Sequence, residues 1–153
     1  MTRYQVACRG AIPAPPSRVY AVLADYREHH PRIVPPEYFR KLEVLQGGVG
    51  AGTRTRVAMR VLGKDVQFEH VVSEPEPGRI LREADDDGSN ATTFTVDPGE
   101  SPGSTLLTIS TELIARPGIA GTMERLMTSW MLRRIYRKEI ARLAEYVRHP
   151  ESR

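Results

Sequence analysis

The chain holds one cysteine and one tryptophan in 153 residues, and each scarcity narrows the options. A single thiol, Cys8, cannot close an internal disulfide and fits a reducing compartment. Its neighbours alternate as in a strand, so it reads as a small buried hydrophobe. No apolar run approaches the roughly 20 residues that span a bilayer, and no basic start leads into an apolar stretch. The expected compartment is therefore the cytoplasm, with no stable membrane insertion. A nucleophile elbow is missing, and no two acids stand on adjacent strand positions as glycoside hydrolysis would ask. The net charge of +3 is too small an excess to argue for nucleic acid. Basic residues do gather late, at Arg133, Arg134, Arg137, Lys138 and Arg142. Such a run is ordinarily a solvated helix face, and a negative partner surface is the second reading.

What is present describes an ordinary globular domain, with 40% apolar and 27% charged residues. Residues 1–150 read as a single domain and 151–153 as a tail. "YQVACRGAI" alternates Tyr4, Val6 and Cys8 against Gln5, Ala7 and Arg9, which is strand spacing. "PAPPSRVYAVLAD" opens on prolines suited to a first helical turn. Asp25 and Glu28 then form a capping box for a second, very short helix that Pro31 ends. Six more strands follow: "YFRKLEVLQ", "TRTRVAMRVL", "KDVQFEHVVS", "RILREA", "NATTFTVD" and "STLLTISTELI", each bounded by turn residues. Their short spacing predicts sequential antiparallel hairpins. Past Pro117 the chain reads as one long helix, the only element able to cover the open face of the sheet. The expected class is α+β: a curved antiparallel sheet of about seven strands closed by that helix over a cavity.

This order resembles the helix-grip superfamily. The resemblance is carried by "AIPAPPSRVYAVLAD" after the first strand, by "GVGAGTRTRVAMRV" at the second hairpin and by the long C-terminal helix. The superfamily includes START lipid-transfer domains, birch-pollen-allergen-like proteins, bacterial polyketide cyclases/dehydrases and ubiquinone-binding relatives. The resemblance spans nearly the whole chain and rests on scaffold motifs, so it speaks to fold more than to function.

Three stretches invite a site. "DYREHHPRIVPP" carries Asp25, His29 and His30, but a metal usually needs further ligands and an ordered second shell, and the cap already accounts for Asp25. In the resembled family this is the turn between the small helices, at the cavity rim, so it reads as a scaffold corner. "GGVGAGT" fails the dinucleotide fingerprint, because Thr53 stands where the third glycine belongs and strands flank it on both sides. "DDDGSN" fails the calcium-loop spacing and reads as a turn.

His70 is less easily set aside, since it shares the parity of Val66, Phe68 and Val72 and so points into the concave face. A structural role ranks first for it, ligand contact second and catalysis third. By the same parity Thr55, Val57 and Met59 face inward, as do Thr92, Phe94 and Val96, and Leu107, Ile109 and Thr111. This makes an apolar lining with a few hydroxyls.

The terminal helix carries two stripes. Leu132, Tyr136, Ile140, Leu143 and Val147 form one; Met123, Leu126, Met127 and Trp130 form another, roughly a third of a turn away at about 100° per residue. The expected resolution is a break or rotation near Trp130 to Arg133 that turns the methionines and Trp130 onto the cavity mouth. The alternative is a straight helix whose Met123, Met127 and Trp130 form an outward patch for a dimer, membrane or partner contact. The expected function is binding of a small apolar or aromatic molecule (lipid, quinone or polyketide-like) with no cofactor. Tyr26, Thr55, Met59, Phe68, His70, Phe94, Ile109, Trp130, Leu132 and Tyr136 are the candidate contacts. The first rival is a polyketide cyclase/dehydrase, which would need His70 to converge with a hydroxyl such as Tyr26 or Tyr38. The second is a ribosome- or partner-binding module using the basic helix.

Overall fold

A computed structural model describes residues 2–149. The 151–153 tail lies outside the described residues. The elements run β1 (Thr2–Ile12), α1 (Pro16–Ala24), α2 (His30–Ile33), β2 (Phe39–Gln46), β3 (Arg54–Val61), β4 (Lys64–Glu76), β5 (Ile80–Ala84), β6 (Ala91–Pro98), β7 (Thr105–Ala115) and α3 (Gly118–Arg148). One seven-stranded sheet has the order β1-β7-β6-β5-β4-β3-β2. Every neighbouring pair is antiparallel, and the first and last strands are partners, with Val6 opposite Thr111 and Cys8 opposite Ile109. The six strands after β1 are each joined to the next by a hairpin, as their short turn-bounded spacing demands.

Strand parity sorts the side chains as expected. Thr55 and Val57 are buried, whereas Arg54, Arg56 and Arg60 reach outward to Asp86, Glu69 and Asp65. Phe94, Val96, Leu107 and Ile109 are almost wholly buried. The first corner differs in detail from the sequence expectation. Asp25 Oδ1 accepts from the N–H groups of Arg27 and Glu28, but this caps the turn at 26–29. α2 starts later, with His29 at its N-cap and no side-chain cap, so the expected capping box for that helix does not form. Pro31, however, does not end a helix there; it lies in the first turn of α2, where a missing N–H costs nothing. His29 Nδ1 sits 2.6 Å from the Tyr146 hydroxyl of α3, which pins the corner to the long helix. The glycine loop after β2 rests on the same corner: Tyr26 N–H donates to Gly48 O, and Gly50 N–H to Ala24 O. Gly50 has φ +67°, a conformation that suits glycine, and a Cβ there would push aside the Glu74 carboxylate that accepts from Ala51 N–H.

α3 is one unbroken helix of 31 residues, so the expected break near Trp130 does not occur. No proline interrupts it, and its second half packs Ile135, Tyr136, Ile140 and Leu143 against the sheet and α2. It passes so close to β1 that a Cβ on Gly10 would collide with the Ile140 γ-methyl. Both apolar stripes then keep their helical phase. Met123, Leu126, Met127 and Trp130 are turned to solvent, each more than half exposed.

The interior divides into two halves. Under α1 and the C-terminal half of α3 it is solid, filled by Ile12, Val19, Leu23, Leu81, Leu107, Ile109 and Leu143. Towards β2, β3 and β4 and the middle of α3 it is hollow.

Candidate functional site

The hollow half holds a cavity of about 190 Å³. Its walls are mostly apolar and come from every layer: Phe39 and Leu42 from β2, Val57, Met59 and Val61 from β3, Phe68 from β4, Phe94 from β6, and Met131, Leu132 and Ile135 from α3. Exposure gives the cavity a direction. Met59, Val61, Val66, Leu113, Thr128 and Leu132 are partly exposed, while Tyr26, His30, Thr55, Tyr136 and Glu139 are buried. The mouth therefore lies at the β3–β4 hairpin and the first half of α3, and the deep end lies against α2.

Polar groups gather at that deep end. Tyr26 O–H donates to Glu83 Oε1 at 2.6 Å, and its ring stacks on His30 with centroids 4.5 Å apart. His30 Nδ1 is 2.7 Å from Leu23 O, and a carbonyl only accepts, so Nδ1 carries the hydrogen. Its Nε2 then faces Glu83 and Glu139, 3.8 Å from an oxygen of each. His70 stacks on Phe68, with Nε2 3.4 Å from Asp85 and Nδ1 4.0 Å from Glu83. On the far wall Tyr136 O–H and Thr111 Oγ1 lie 2.6 Å apart, and Thr111 is 2.9 Å from Thr92 Oγ1.

Burial governs the protonation of this cluster. Glu139 is 3% exposed; desolvation, then the nearby Glu83 charge, pushes its carboxyl from an ordinary 4.5 up to about 8. Tyr136 is pushed up to about 12, again by burial first. Burial and then Glu83 hold Tyr26 well above the ordinary tyrosine range. The acid at Glu139 thus keeps its proton near neutral pH, and the two tyrosines remain hydroxyl donors.

Of the residues expected from sequence, Tyr26, Thr55, Met59 and Phe68 line this cavity, as do His70, Phe94, Leu132 and Tyr136. Two do not. Ile109 points inward as its parity requires, but its stretch of β7 lies over the solid half, where it is fully buried in core. Trp130 is 59% exposed, with the Arg134 guanidinium over its ring; the unbroken helix turns it away from the mouth. Tyr38 is not at the cavity either; its hydroxyl accepts from Arg134 Nε. The basic helix is partly tied down in the same way, by Lys138 to Glu37 and Arg142 to Arg32 O.

Sequence reasoning missed Glu83, Glu139 and the cavity role of His30. The signals existed: Glu83 has the inward parity of Leu81, and Glu139 lies three residues after Tyr136 on the buried stripe. The corner histidine is scaffold through Nδ1 and cavity wall through the rest of its ring. Asp25, Glu28 and His29 bring ligand-type atoms within 4.8 Å of one another, but this trio sits outside the cavity, and Asp25 and His29 already make the capping and Tyr146 contacts.

Comparison with known proteins agrees with this architecture. No curated protein matches the sequence. Among solved structures, the KanY protein superposes with a TM-score of 0.82 at 25% identity, covering 97% of this chain and 99% of its own. A protein from Thermus thermophilus follows at 0.75 and 23% identity, over 94% and 97% of the two chains. The Zhui aromatase/cyclase from a Streptomyces species gives 0.75 at 17% identity, over 97% and 95%, a likeness of fold. No helix among the described residues is long and apolar enough to cross a membrane. The family described as polyketide cyclase / dehydrase and lipid transport matches residues 6–148, nearly the whole chain, and this protein belongs to that family, within the helix-grip superfamily.

Proposed function

We propose that the protein binds a small apolar or aromatic molecule of the lipid, quinone or polyketide-like kind inside this cavity. The observation that carries the reading is an apolar-walled space of about 190 Å³ whose polar groups sit at one end. A cavity of roughly 150 Å³ accommodates benzene, so a one- or two-ring ligand, or part of a longer chain, matches the volume. Affinity comes from apolar area removed from water, at about 25 cal/mol per Å² before binding costs. Orientation comes from Tyr26, His70, Glu83 and Tyr136. Native mass spectrometry of freshly purified protein tests the reading: a co-purifying small molecule supports it. An apo protein that also fails to bind any hydrophobic fluorophore would overturn it.

A cyclase/dehydrase reaction is the second reading, and one observation favours it. His70 and the Tyr26 hydroxyl both converge on Glu83, one at each carboxylate oxygen, which gives a bound chain groups able to donate and accept protons. Incubation with an aromatic poly-β-ketone probe separates the readings. Mass loss equal to one water marks the enzyme; binding without turnover marks the container.

A further inference from the structure

Two carboxylates line the cavity, and among the described residues neither lysine nor arginine does. Glu83 spends one oxygen on Tyr26 O–H. Its other oxygen faces His70 Nδ1 across 4.0 Å, beyond hydrogen-bond length. Glu139 is 3% exposed, and no described residue donates a hydrogen bond to it; the nearest basic side chain is His30, with Nε2 at 3.8 Å. His70 Nδ1 is likewise buried without a partner. Asp85 adds a third acid behind His70. Buried polar groups in folded proteins are almost always satisfied. An unpartnered, nine-tenths-buried carboxyl group at Glu139, beside a Glu83 oxygen that lacks a donor, therefore points to a polar group that arrives with the ligand.

The chemistry of that donor follows from what surrounds it. A carboxylate or phosphate on the ligand would meet like charge in a site of low dielectric. A ketone accepts from the protonated Glu139 but brings no hydrogen to the second oxygen of Glu83. A hydroxyl supplies one hydrogen, whereas an ammonium supplies three together with the opposite charge, and charge-assisted bonds are about twice as strong as neutral ones. The aromatic faces of Phe68 and Phe94 suit the apolar body of such a ligand and tolerate a nearby cation. We propose that the ligand carries a protonated amine, seated between Glu83 and Glu139 at the deep end, with its apolar body extending toward the β3–β4 hairpin. The ammonium takes the place of the proton that Glu139 otherwise holds, which leaves to solvent, and this assignment rests on the cavity being a binding site.

Three probes with one ring system and different heads test it: naphthylethylamine, naphthylethanol and naphthylacetate, titrated calorimetrically at neutral pH. The amine is expected to bind about tenfold or more tightly than the alcohol, and the carboxylate weakest of the three. Glu139→Gln and Glu83→Gln keep the side-chain shape, and either should cut the amine-over-alcohol preference about tenfold. Alcohol binding as tight as amine binding overturns the proposal and leaves the cavity reading standing. A preference that survives both substitutions also overturns it. If none of the three probes binds, the cavity reading falls and the proposal falls with it.

Discussion

Glu139 is costly to place as an ionised group. Its carboxyl is almost fully buried beside Glu83 and titrates near 8 rather than 4.5. The folded state therefore binds a proton that the unfolded state releases, across that whole window. Stability is complete below about 4.5, falls as pH rises toward 8, and levels off above it, by roughly a few kcal/mol in total. Glu83, His30, Tyr26 and Tyr136 face the same space, so the wild-type slope alone does not isolate the residue. The difference between wild type and Glu139→Gln does. Melting curves at pH 5 and pH 8.5, which span most of that window, should lie closer together for the variant, which should also be the more stable protein at the higher pH. Parallel curves for the two proteins would show that Glu139 is not buried as a neutral acid.

His70 is the opposite case, a cavity residue with little to lose. Its Nδ1 has no partner, and its ion-pair distances to Asp85 and Glu83 are long. His70→Ala should leave the melting temperature within a few degrees while weakening naphthylethanol binding severalfold. A loss of roughly 1–3 kcal/mol in stability with unchanged binding would mark it as core.

At the scale of elements, the strands were legible and the helix phase was not. Period-two alternation in β3, β6 and β7 places Thr55, Phe94 and Thr111 inward by geometry alone, because a strand has only two faces. Which stretch of an inward face meets cavity rather than core depends on where α1 and α3 cross it. Ile109 shows this: correct in parity, but over the solid half. Glu83 and Glu139 were obscured because acids are expected at the surface, so their inward positions went unread. The two stripes of α3 were visible, but their resolution depended on whether burying an apolar face outweighs keeping a helix intact. An unbroken helix keeps every i→i−4 hydrogen bond, and it left the first stripe in water. Its course is fixed partly by Gly10, where α3 crosses β1. Gly10→Ala should destabilise the protein by about 1–3 kcal/mol in urea unfolding through overpacking against Ile140. Because one methyl is responsible, the Gly10→Ala, Ile140→Ala double variant should be more stable than the sum of the single effects predicts. Additivity would mean that the helix does not pass so close to the strand.

For the whole molecule, the division into a solid and a hollow half separates the packed core from the cavity. The C-terminal half of α3, α1 and β5 to β7 supply the packed core. The first half of α3 supplies one rim of the mouth through Thr128, Met131 and Leu132, and it presents Met123, Leu126, Met127 and Trp130 outward. Rim and outward face are thus opposite sides of the same turns, and Trp130 reports on which side it occupies. As the sole tryptophan, it makes the protein's emission a single-site signal. In dilute solution the indole should emit as a water-exposed group and be readily quenched by acrylamide. Saturating the cavity with naphthylethanol should leave its emission wavelength unmoved, because Trp130 is not on the wall. Dimerisation through Met123, Met127 and Trp130 would read out separately, as a blue shift that grows with protein concentration in the absence of ligand. A blue shift on ligand binding at constant, low protein concentration would instead put the indole at the cavity mouth, and α3 would then have to bend near Trp130.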